Sequence, residues 1–206
     1  MPTPTHTLPE TYRETRYLDV TDPSTLVHLN LLSLVGLVAS IIGFVGWYLI
    51  VQIMRGPVPG GIGLPSLVLW LAVIAVFGLH EWIHGLAIRW AGHRPRYGAV
   101  TARLTKYIAI PYALYATADN AYFPRNVFIV IALAPLIVIS ILCMVLLVLL
   151  PNSLAFYVIA AAVLNGSGAI GDVWMTWIAL KYPPDVLIQD EAVAIRIFAP
   201  EQDDHL

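Results

Sequence analysis

Charge is what this sequence has least of. Only 12% of its 206 residues are Asp, Glu, Lys or Arg, against roughly 25% in an ordinary soluble domain. The formal net charge is −2 and no large basic patch is present, which excludes nucleic acid as a partner. There is one cysteine, Cys143, inside an apolar run, so an internal disulfide is excluded. A secretory leader opens with a basic patch followed at once by an apolar core, so the first 25 residues are not expected to act as one. The first 25 residues are instead polar and turn-rich, mixing Arg13 and Arg16 with Glu10, Glu14, Asp19 and Asp22. They read as a short segment outside the membrane. No internal repeat and no low-complexity tract is present.

Apolar residues fill the remaining space. Hydrophobic residues make up 59% of the chain and the mean hydropathy is +0.77. A helix needs roughly 20 apolar residues to cross a bilayer. Four stretches qualify, at about 26–53, 64–90, 127–150 and 154–180. Helices satisfy their own backbone in lipid, so the expected fold class is an all-α integral membrane bundle of four transmembrane helices. Residues 91–126 are too polar to span. Val100–Thr105 alternates in a strand-like way, and Tyr107–Ile110 reads as a second strand ended by Pro111. This stretch is expected to form a β-hairpin or re-entrant segment at the membrane surface.

The expected organisation is therefore an N-terminal segment 1–25, a membrane domain 26–182 and a tail 183–206 that ends in an acidic, solvated EQDDHL. Ten of the eleven Lys and Arg residues fall in the N-terminal segment, the 89–125 region and residues 181–206; only Arg55 falls elsewhere. Basic residues mark the cytoplasmic side, so both termini are expected there. Trp47, Tyr48, Trp90, Tyr97 and Trp177 lie near span ends, where aromatic rings anchor at the interface.

The second span contains His80-Glu81-Trp82-Ile83-His84. On a helix, His80 and His84 lie on one face, about 6 Å apart along the axis. Two neutral imidazoles so placed can hold one zinc ion, and Glu81 can reach a water on that metal as general base. An ionisable group in mid-span costs about 2.5–3.5 kcal/mol on insertion scales; three together either serve a site or hydrogen-bond to one another and stabilise the bundle. A catalytic zinc takes three protein ligands. His28 lies near the start of the first span, and His6, His93 and His205 lie outside the spans, which leaves Asp172, the one charged residue of the fourth span. Asp172 lies nine residues before Lys181, while His80 and His84 lie nine and five before Arg89. All three thus sit at similar depth, about 8–14 Å inside the boundary.

Asn165-Gly166-Ser167-Gly168-Ala169-Ile170-Gly171 precedes Asp172. Its glycines allow either close packing of the fourth span on the second or a locally opened backbone. In the second case Asn165 is available to hold substrate or a developing oxyanion.

These features together resemble the site-2 protease type of intramembrane metalloprotease, and more closely the small bacterial and archaeal membrane proteins classed as zincin peptidases. The resemblance covers about residues 64–190. It rests on HEWIHG at 80–85, the hairpin-like stretch, an Ala134-Pro135 break in the third span and NGSGAIGD at 165–172. It implies that His80, His84 and Asp172 bind one zinc ion and that Glu81 activates water. The implied reaction is hydrolysis of a peptide bond in or near a membrane helix, in a prokaryotic cell membrane, with a membrane protein or peptide as substrate. The alternative expectation is a zinc-binding membrane scaffold or sensor that hydrolyses nothing.

Overall fold

The computed structural model describes residues 5–59, 65–103 and 109–201, with the main chain alone at 102, 103 and 109–113. Strand β1 (Tyr12–Asp19) leads into helix α1 (Pro23–Arg55) and helix α2 (Ser66–Trp90). Strands β2 (Arg96–Arg103), β3 (Ala109–Thr117) and β4 (Phe123–Pro124) precede helix α3 (Arg125–Leu149). After a short 3₁₀ turn at Asn152–Leu154 come α4 (Ala155–Gly168) and α5 (Ile170–Ala179), then strands β5 (Leu187–Asp190) and β6 (Ala194–Pro200). Among the described residues, four helical segments are long and apolar enough to cross a membrane: Pro23–Arg55, Ser66–Trp90, Arg125–Leu149 and Asn152–Ala179.

Local chemistry sets the helix ends. Asp22 accepts hydrogen bonds from the backbone N–H of Ser24 and of Thr25, both at 3.1 Å. With Pro23 as first helical residue, this is a capped start. The neighbouring hydroxyl and N–H donors hold the Asp22 carboxyl below its ordinary pKa. Gly56 ends α1 at φ 71° and Gly92 ends α2 at φ 88°, a left-handed conformation that a residue without Cβ adopts freely.

The chain divides into two compact units. The first comprises residues 1–27, 81–134 and 172–206. It holds a four-stranded antiparallel sheet of order β1-β6-β5-β4 and the separate β2-β3 hairpin. The inner strand β6 is mostly buried, as are Ile188 and Val186. Ile88 from α2, Phe128 and Ile131 from α3, and Ile178 from α5 complete this apolar core.

The four-stranded sheet corrects the all-α expectation. The N-terminal segment supplies β1, and the tail supplies β5 and β6. Tyr12–Asp19 hides its strand character because five of its eight residues are exposed. As an edge strand, it draws its stability from main-chain pairing with β6, from Tyr12↔Pro200 to Asp19↔Ala194.

The expected hairpin is present, and its strands reach further than the sequence pattern indicates. Pro111 lies inside β3, opposite Thr101, where the register shifts by a bulge. A proline is tolerated there because each strand of a two-stranded hairpin has an open edge. Residues 104–108, which carry part of the expected alternation, lie outside the described residues.

The second unit comprises residues 28–80 and 135–171. Its polar end is held by a reciprocal amide pair, Gln52 with Asn152 at 3.0 and 3.2 Å. Arg55 donates to the Leu147 carbonyl at 2.9 Å, close to the end of α3. Trp47 Nε1 donates to the Met144 carbonyl at 3.1 Å. The glycine-rich run packs closely, but Gly166 meets α1 rather than the second span: a Cβ there would collide with Ser40 Oγ. Gly168 faces α2, with Phe77 at 3.8 Å from its notional Cβ. The run also interrupts the last span, since α4 ends at Gly168 and α5 begins at Ile170.

Candidate metal centre

Among the described residues, His80, His84 and Asp172 form a group whose ligand atoms all lie within 4.8 Å of one another. Both histidines are buried and Asp172 is partly buried. His80 and His84 are brought together by the helical spacing of α2. Asp172 comes from the first turn of α5, just beyond the interruption. His84 Nε2 lies 3.5 Å from Asp172 Oδ2. Two ligands each about 2.0–2.1 Å from a tetrahedral zinc are themselves about 3.4 Å apart, so this pair already stands at ligand separation.

The other ring nitrogens are engaged. His80 Nδ1 lies 3.0 Å from Asn165 Oδ1. An amide oxygen only accepts, so Nδ1 carries the proton and Nε2 is left with its lone pair. His84 Nδ1 donates to the Ile131 carbonyl at 2.9 Å, with the same consequence. Such partners fix the tautomer and orientation of a metal-binding imidazole. The donor set of two neutral imidazoles and a carboxylate suits zinc. Glu81 stands on the same helix, partly buried, on the flank of α2 next to the two histidines.

Asn165 is 2% exposed and its Nδ2 is buried with no hydrogen-bond partner among the described residues. A carboxamide with its oxygen committed to His80 and its N–H groups unspent can still serve as a donor.

Three features of the site carry no sequence signal. The first is the Ile131 carbonyl, a main-chain atom. The second is Asp190, which ends β5. Its Oδ1 accepts from the Ala192 N–H at 2.9 Å and its carbonyl accepts from Thr117 Oγ1 at 2.7 Å. Ala192 holds a left-handed φ of 69° to close this turn. Burial pushes the Asp190 carboxyl up to about 6, against the Ala192 hydrogen bond and the nearby His84 imidazole, with Asp172 and Glu81 adding to the rise. Asp190 is therefore within electrostatic reach of the site. The third is the close approach at Gly85, where a Cβ would collide with the Tyr97 phenol. Gly85 is four residues after Glu81, so β2 lays Tyr97 along the Glu81 flank of α2.

This constellation defines a zincin-type site on membrane-length helices. Residues 73–187 match a family described as "Putative zincin peptidase". The match covers more than half of the chain, and the protein belongs to that family. No curated protein and no solved structure matches it.

Proposed function

We propose that the protein is a zinc-dependent intramembrane endopeptidase. The observation that carries this reading is the convergence of His80, His84 and Asp172 with each histidine already bonded through Nδ1. Zinc held there would supply Lewis acidity and an acidified water near neutral pH. Glu81 takes a proton from the attacking water and returns it to the leaving amine. Asn165 holds His80 through Oδ1 and turns its amide donors toward the substrate or the developing oxyanion. The buried surroundings strengthen every such bond, because little water competes.

Placement in a bilayer is supported by side chains that water would not tolerate together. On α1, Val35 is 64% exposed, Ile42 68% and Ile53 85%. A continuous apolar face of this kind needs lipid or a partner. The distribution of basic residues supports a cytoplasmic side for both termini. The substrate is a peptide segment in or beside a membrane helix, unwound before cleavage because a helix hides its carbonyls.

Zinc per chain in detergent-purified protein tests the reading. Wild type is expected to hold about one ion, with loss in His84→Ala and in Asp172→Ala. Loss in His84→Ala alone would remove Asp172 from the ligand set. Absence of zinc in folded wild type would overturn the peptidase assignment.

A further inference from the structure

Helix α3 carries Pro135 at its middle, fully buried. Proline has no backbone N–H, so the carbonyl four residues earlier receives no helical hydrogen bond. That carbonyl belongs to Ile131, the group that accepts the His84 Nδ1–H at 2.9 Å. An unpaired carbonyl in an apolar interior is costly and demands a donor. We propose that Pro135 is a positioning residue of the metal centre: by removing one N–H from α3, it frees the Ile131 carbonyl to hold His84 with Nε2 toward Asp172.

The arrangement solves two problems with one bond. The proline-containing helix gains a donor for its orphaned acceptor, and His84 gains a fixed tautomer. An alanine at 135 would restore the N–H four residues from Ile131, and that N–H would compete for the same oxygen. A carbonyl can accept twice, so competition weakens and redirects the His84 bond rather than abolishing it. His80 is insulated from this change, because its acceptor is the Asn165 side chain.

The inference rests on the zinc reading, and its test separates the two. Zinc affinity is measured by chelator competition in detergent for wild type, for Pro135→Ala and for a chain with lactic acid at position 135. The lactic acid chain has the alanine methyl group but an ester link, hence no N–H. Pro135→Ala is expected to bind zinc about tenfold more weakly, at the lower end of effects from lost supporting bonds. The ester chain is expected to stay within about twofold of wild type. Equal affinity in Pro135→Ala and wild type would overturn the proposal. Equal weakening in both variants would overturn it too, since the shape of proline rather than its missing N–H would then be responsible. Failure of the zinc reading shows separately, as absence of zinc from wild type.

Discussion

Each histidine of the metal centre has a different kind of support, and this makes the residues separable by experiment. His80 leans on a side chain, Asn165, and His84 leans on a main-chain carbonyl. Asn165→Ala leaves His80 Nδ1 without its acceptor, and zinc affinity should fall about 10–100-fold while the helices persist. Unchanged affinity on chelator titration would show that Asn165 does not support the ligand. Glu81 behaves differently. Glu81→Gln keeps size and hydrogen bonding but cannot take a proton, so zinc should remain at wild-type stoichiometry while peptide cleavage drops by about 10²–10⁴-fold. Cleavage at the wild-type rate would remove Glu81 as general base; zinc without any cleavage in wild type would favour a non-hydrolytic zinc protein.

At the scale of elements, α2 carries the two histidines, Glu81 and Gly85. Gly85 admits the Tyr97 phenol, and in the hairpin a Cβ at Gly98 would meet the ring of Tyr115. Aromatic rings laid over strand glycines stabilise a hairpin that has little else to hold it. Gly85→Ala should therefore displace Tyr97 and loosen β2, read as faster amide exchange over 96–103 with the zinc content intact. Unaltered exchange would mean that Tyr97 relocates without strain. Much of this level was legible in the sequence. The four helices follow from apolar length, and the hairpin follows from alternation. Strand β1 was not legible, because an exposed, charged edge strand has no apolar period to betray it. The packing partner of Gly166 was not legible either, because small residues permit contact without specifying with what.

For the whole molecule, β1 and β6 from opposite parts of the chain pair in one sheet, and Asp190 ends strand β5 of that sheet within electrostatic reach of the site. The folded chain holds the Asp190 proton up to about 6, against 3.8 for the ordinary group. Between these values only the folded state keeps the proton, so the stability of zinc-free protein falls as pH rises through that window. The loss is on the order of 3 kcal/mol. Melting in detergent at pH 4.5 and 7 should show this decline in wild type and much less of it in Asp190→Asn; an unchanged decline would place the titration elsewhere. The proposed orientation is tested on intact membranes of a Cys143→Ala chain. Arg13→Cys and Glu201→Cys should react with an impermeant maleimide only from the cytoplasmic face, and Val58→Cys only from the opposite face.

The sequence by itself determined the features governed by neighbours along the chain. These are four apolar helices, the i, i+4 pairing of His80 and His84 with Glu81 between them, and the alternation of the hairpin. Asp172 was reachable as well, because charge in an apolar span is rare and depth can be counted. The tertiary structure decided the rest. Asn165 is 85 residues from His80, and Ile131 is 47 from His84. Asp190 comes within electrostatic reach of His84 and Asp172 only in the folded chain. No local pattern encodes such meetings, because a main-chain carbonyl looks the same at every residue until folding gives it a partner.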